Sequence, residues 1–213
     1  MASRRTAVRS RRFRLRDITL AAHARLDNGI SAAGFMESRS AYISYLQASL
    51  QARQPIERAL DECGAQALFA AWPRRRIAEH LAADIDDLDG DRPSPAAVAA
   101  PNCPHPAEIL GALYVLEGSA LGASLLFKRA QTLGMTATCG ARHLQAQTSD
   151  PSAWRAFVEV LERQQMTPDE ELLCDAAALR TFGAFERELL RPGDSTEARA
   201  KRIAVSTPDD ASL

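Results

Sequence analysis

The chain has 213 residues with 26 basic and 27 acidic side chains, a net charge of −1, so no excess of either sign directs it to nucleic acid or to an anionic membrane. That length supports one well-buried core, and the absence of any compositional shift points to a single domain with tails. No uninterrupted apolar run reaches the roughly 20 residues of a membrane span and there is no signal-peptide core, so a soluble, cytoplasmic protein is expected.

The N-terminal stretch MASRRTAVRSRRFRLRD carries no acid before Asp17. It has the composition of a transit peptide, but it is short and runs straight into a helical pattern. Residues 1–12 therefore read as a solvated basic arm, expected to be disordered. Beyond it, apolar residues recur with a period near 3.6 and alternation is nearly absent, which predicts an all-α fold over residues 13–191. The spacing places helices at Leu15–Ile30 and Ser38–Ala52, and Pro55 reads as the first turn of the next helix. Further helices are expected at Ala65–Trp72 and Arg74–Leu88. Asp89–Glu108, dense in proline, reads as a long surface loop. Helices over Pro106–Leu133, Ser152–Arg163 and Pro168–Leu190 follow, the last capped by Thr167, and residues 192–213 read as a polar, disordered tail.

Few groups offer chemistry. Cys63, Cys103, Cys139 and Cys174 are scattered without metal-binding spacing. The acidic run DIDDLDGD fails as a calcium loop: counting from Asp87 puts Arg92 where glycine belongs and Val98 where glutamate belongs, so the carboxylates read as water-facing helix ends. His105 falls in the proline-rich loop, His143 in a polar connection, and His80 on a helix whose neighbours Arg74–Glu79 look exposed. His23 differs. It lies beside Ala22, one turn from Leu26, with Asp27 at i+4 able to accept the Nδ1 proton and leave Nε2 for a metal, although a satisfied core histidine is the plainer alternative.

The stretch LYVLEGSALGASLLF raises a second question, because Gly118 and Gly122 each cost a helix about 1 kcal/mol against alanine. Residues four apart share a face, and Gly111 lies seven before Gly118 on the same stripe. Close helix packing would explain such a stripe. So would a flat ligand held between a bare backbone face and an imidazole, and heme, with one axial histidine, fits that description.

LRDITLAAHARLD and ALYVLEGSALGASLLFKRA, followed by RRRIAEHLAADIDDL, WRAFVEVL and TFGAFEREL in the same order and spacing, resemble the heme oxygenases, in particular the bacterial branch found with bacteriophytochromes. The likeness spans about Leu15 to Leu190. It implies a single-domain all-α bundle with heme between a proximal and a kinked distal helix. It also implies oxidative cleavage of heme to biliverdin with release of carbon monoxide and ferrous iron. Heme is then both substrate and cofactor, molecular oxygen the oxidant, a ferredoxin or flavoprotein reductase the electron donor, and a bacteriophytochrome the recipient of biliverdin. Residue by residue, the resemblance makes His23 the axial ligand of iron, Asp27 the carboxylate that orients it, and Arg16 the propionate partner. Tyr114 comes near the heme edge, Phe182 packs on the macrocycle, and Gly118, Ser119 and Gly122 form the distal face.

Ser119 departs from the aspartate that many members carry after the first distal glycine; serine lacks the charge, and Glu117 is the nearest alternative for ordering water. A basic pair expected near Trp154 and Val158 is missing, with Arg155 and Arg163 as the candidates to replace it. These departures leave two other readings open. One is a heme carrier or sensor without turnover. The other is a helical module of the same fold that binds another small molecule or a protein.

Overall fold

The computed structural model describes residues 10–94 and 105–190, and within them the chain is helical with no strand. α1 spans Arg11–Ala32, α2 Arg39–Glu62, α3 Ala65–Leu68, α4 Trp72–Arg75 and α5 Ala78–Asp87. α6 spans Pro106–Thr132, α7 Arg142–Thr148, α8 Ala153–Arg163 and α9 Pro168–Leu189. Most of the expected basic arm (1–9), the middle of the proline-rich connection with Cys103 (95–104) and the expected tail (192–213) lie outside the described residues.

α1, α2 and α6 all pack on α9. One apolar core gathers Leu15 and Ala22 of α1, Leu113 and Leu116 of α6, Phe157 of α8, and Ala178 and Phe182 of α9. A second joins Tyr42 and Leu46 of α2, Leu81 and Ile85 of α5, Leu144 of α7, and Ala123 of α6. Burying each large apolar side chain contributes about 1.5–3 kcal/mol, so helices this amphipathic settle where their stripes meet.

Several sequence expectations change. α1 starts at Arg11, not Leu15, because the guanidinium of Arg11 is buried against Glu171 (Nη2–Oε1 2.6 Å) and the carbonyl oxygens of Leu161 and Gln164. The backbone N–H groups of Arg11 and Arg12 donate to Glu162 at 3.1 and 2.9 Å. Two arginines assigned to a solvated arm thus clamp α1 to α8 and α9 through carboxylates some 150 residues away. α2 continues through Pro55, which opens no new helix. Proline inside a helix costs about 3 kcal/mol, and buried residues on both sides, Leu50, Ala52 and Leu60, hold the helix together across it.

The expected helix Arg74–Leu88 breaks at Arg76, whose ψ of 137° is extended. Its second part starts afresh because the Glu57 carboxylate accepts from the N–H groups of Ile77 (2.9 Å) and Ala78 (3.1 Å). Asp84 does not face water. It is fully buried and accepts from the N–H groups of Arg142 (2.8 Å) and His143 (3.0 Å), nucleating α7 in what read as a polar connection. Arg75, read as exposed, is buried with Glu117. α6 also passes as a membrane span by length and composition, with a mean hydropathy of 1.6 over its most apolar window, although no unbroken apolar run is present. Its first half, including Leu113 and Leu116, instead buries in the core with α9 and α8, whereas Leu121 and Leu125 stay exposed.

Gly111 marks where α6 meets α9. A Cβ there would overlap the backbone carbonyl of Cys174 and press on Ala177. Gly111→Ala should therefore destabilise the protein by about 1–3 kcal/mol despite its better helix propensity, read as a lower midpoint in urea unfolding. Burial pushes the Glu171 carboxyl up, but its bonds to Arg11 and Arg14 outweigh that and hold it below its ordinary value of 4.5. The stability this group adds is present above that value and is lost as pH falls through the depressed one. Glu171→Gln should lower stability at neutral pH and lessen the further loss below pH 4.5, as followed by acid unfolding.

Candidate functional site

α1 divides its surface by helical spacing. Arg11, Leu15, Thr19 and Ala22 point into the core, whereas Arg16, Leu20, His23 and Asp27 form the neighbouring, exposed stripe. His23 is therefore not a core histidine: its side chain is 61% exposed. Its Nδ1 lies 2.9 Å from Asp27 Oδ2, one turn along, and its ring leans on Phe182 of α9 with centroids 5.9 Å apart. With Nδ1–H donated to Asp27, the other nitrogen, Nε2, carries the lone pair.

α6 presents a second open face. Gly118, Leu121, Gly122 and Leu125 fall at i, i+3, i+4 and i+7, and both leucines are more than half exposed. A Cβ built at Gly122 meets nothing within 4 Å, and one at Gly118 meets only the Trp154 ring at 3.7 Å. The three glycines of the stripe thus separate. Gly111 is a packing residue, Gly118 has only the Trp154 ring at ordinary contact distance, and Gly122 faces open space, so close helix packing does not explain the last two. Both helices pack on α9, and Tyr114 of α6 lies near Thr19 of α1, one turn before His23, with burial raising its phenol above its ordinary pKa. Tyr114 also packs on Trp154, with centroids 5.6 Å apart.

Behind α6 lie buried polar groups. Glu117 is 1% exposed and accepts from Arg75 Nε at 2.9 Å; burial pushes its carboxyl up against that cation's pull. It is committed there, and so is removed from the role of ordering water beside Ser119. The Ser119 hydroxyl donates to Leu116 O at 2.6 Å and accepts from Arg53 Nη1 at 3.5 Å and Gln147 Nε2 at 3.4 Å. Arg53 is itself buried and fixed by Glu57 at 2.6 Å. The basic group on this side accordingly comes from α2. Arg155 is exposed and Arg163 pairs loosely with Glu159 at 3.6 Å, so neither supplies it.

Sequence reading missed Arg53 and Gln147. A charged pair at i,i+4 within an otherwise buried run was the available signal for Arg53; Gln147 gave none. Arg16 is exposed on the His23 stripe. Among the described residues no cluster of three or more His, Cys, Asp or Glu side chains is arranged to hold a metal ion. A groove of about 470 Å³ between α2, α6 and α9 lies elsewhere and includes neither His23 nor Gly118 and Gly122.

A sequence model of the heme oxygenase family matches residues 11–191. Heme oxygenase PigA of Pseudomonas aeruginosa is 29% identical over 184 residues, covering 86% of this chain and 92% of that protein. The crystal structure of the NO- and CO-bound heme oxygenase of Neisseria meningitidis superposes with a TM-score of 0.76 at 26% identity, covering 85% of this chain and 91% of that one. With its all-α bundle, and with a match extending over nearly every described helix, the chain belongs to the heme oxygenase family.

Proposed function

We propose that the protein cleaves heme oxidatively to biliverdin, releasing carbon monoxide and ferrous iron, and that heme lies between the open faces of α1 and α6. The observation that carries this reading is Gly122, a mid-helix glycine with nothing within 4 Å of its missing side chain, on a face with two exposed leucines. Soluble proteins seldom leave a bare, apolar helix face of this kind without a ligand or partner. A flat, apolar macrocycle with charged edges fits it.

When bound, heme would supply the iron that activates oxygen and the ring that is cleaved. The residues divide the remaining tasks. His23 would hold the iron through Nε2, with Asp27 fixing the tautomer and raising the basicity of the ring through Nδ1. A neutral imidazole at this position would donate less electron density to the iron than a thiolate would. Phe182 supports the imidazole and the macrocycle, Arg16 offers its guanidinium to a propionate, and Tyr114 closes one end of the slot. Gly118 and Gly122 keep side chains out of the oxygen site. Ser119 has its proton engaged by Leu116 O, so it acts as an acceptor that holds Arg53 and Gln147 in place. Their N–H groups supply the polarity that an aspartate provides in other members. The likeness to the branch found with bacteriophytochromes makes such a photoreceptor the proposed recipient of biliverdin, and a ferredoxin or flavoprotein reductase the proposed electron source.

Adding hemin and then a reductant in air tests the reading through the absorption spectrum. Bile-pigment bands support turnover; a persistent heme band indicates a carrier or sensor; no bound heme removes the reading. His23→Ala should leave the fold intact, since the side chain is largely exposed, and should abolish turnover unless imidazole is added. Full activity of the unsupplemented variant would overturn the axial assignment. Gly122→Leu should melt at or above the parent temperature, by up to about 1 kcal/mol of helix propensity, yet bind heme weakly or yield little pigment. A destabilised apo-protein with normal turnover would return Gly122 to a packing role.

A further inference from the structure

Outside the slot, the most constrained titratable pair is His143 and Asp84. His143 is 2% exposed and Asp84 fully buried. Asp84 Oδ2 receives both the backbone N–H of His143 (3.0 Å) and its Nδ1 (2.7 Å). Burial pushes the imidazole pKa down against the pull of Asp84, so the ring is neutral. The bond to Asp84 places the single ring proton on Nδ1, which leaves Nε2 with a lone pair. That atom is buried and has no hydrogen-bond partner among the described residues. An unmet buried acceptor costs about 1–3 kcal/mol, and native proteins ordinarily meet such an atom with ordered water.

What lies around Nε2 gives the water a direction. On α2, Tyr45, Ser49 and Arg53 stand at i, i+4 and i+8, all buried. The Tyr45 ring lies 6.2 Å from the His143 ring, and Arg53 is an electrostatic neighbour of the imidazole. On α7, Gln147 follows His143 by one turn. Both ladders end on the same atom, since Arg53 and Gln147 donate to Ser119 Oγ at 3.5 and 3.4 Å. A polar seam thus runs from a buried imidazole to the serine on the open face of α6.

We propose that the seam between α2 and α7 is a buried water site anchored on His143 Nε2, and that His143 is a positioning residue for the Arg53–Ser119–Gln147 group. A water donating one proton to Nε2 has its second proton free to point along the seam. Its oxygen accepts from Tyr45 or Arg53. The imidazole, fixed by Asp84, thereby holds the Arg53 and Gln147 donors on Ser119, so that N–H groups stand beside the proposed heme face without a carboxylate there. This role rests on the heme-cleaving reading, whereas the water site itself does not.

The test has two arms. In the heme-free protein, NMR of ring-labelled histidine should show His143 as the Nδ1–H tautomer with Nε2 accepting a hydrogen bond, and exchange-filtered spectra should show a long-lived water beside its Hε1. A free Nε2 without a water signal would overturn the site. In the heme-loaded protein, His143→Phe keeps the volume apolar and removes the acceptor, while His143→Gln restores one. His143→Phe should bind hemin with unchanged affinity but lower the turnover rate at least about tenfold, a part of the roughly hundredfold or more that positioned proton transfer contributes. It should also raise the solvent isotope effect, and His143→Gln should recover much of the rate. Equal rates and isotope effects in His143→Phe and the parent would overturn the positioning role. If His143→Phe fails to fold, the His143→Gln protein decides alone: a parental isotope effect with Nε2 hydrogen-bonded in the parent supports the proposal, and a raised one overturns it. Failure of the parent to cleave heme would remove the proposed function and this role with it, and would leave the apo-protein result standing.

Discussion

The closeness of α6 to α9 at Gly111 governs the architecture around it. Because no side chain separates Gly111 from the Cys174 carbonyl, the two helices meet with only Ala177 and neighbouring small groups between them. α1 leans on the same α9 through its buried stripe and through the Arg11 and Arg14 bonds to Glu171 and Asp175. With both helices referred to one spine, the faces they turn away from it are set at the same time. The slot is therefore a consequence of packing elsewhere. Its walls carry Leu20, Leu121 and Leu125 in the open because nothing among the described residues is placed to cover them.

Behind the slot the protein accepts buried charge where apolar packing was available. Arg75–Glu117 and Arg53–Glu57 are both nearly inaccessible to water. Desolvating such pairs commonly cancels their attraction, so they are weak evidence of added stability. Their value here is geometric. Glu57 binds Arg53 and also the first N–H groups of α5, while Arg75 ends α4 and holds Glu117 in the turn beside Gly118. The guanidinium that reaches Ser119 is thereby located by the start of α5 as well as by its own helix.

Much of this was legible in the sequence, and the reasons differ by residue. Helix content and most helix positions followed from apolar spacing, which is a local property. His23 with Asp27, and Gly118 with Gly122, stood out because each pattern costs something that a plain core would not pay. The errors arose where a long-range partner reverses a local appearance. Arg11 looked like part of a charged arm until Glu171 neutralised it, and Asp84 looked solvent-facing until it capped α7. Gly111 shared a periodic stripe with the distal glycines, but helix spacing alone cannot say that one end of a stripe meets a neighbouring backbone and the other meets open space.

The start of α6 has a consequence for how the chain tolerates change. His105 and Glu108 close a reciprocal capping box, Pro106 sits in the first turn, and Glu108 also binds Arg180 on α9. The helix phase, and with it the direction in which Gly118 and Gly122 point ten and more residues later, is settled within those first residues. Residues 105–108 thus carry the register of α6 by themselves, so lengthening the chain ahead of His105 costs only loop-closure entropy, about 0.6 kcal/mol per doubling, and an affinity tag or a fused module placed there would leave Gly118 and Gly122 aimed as before.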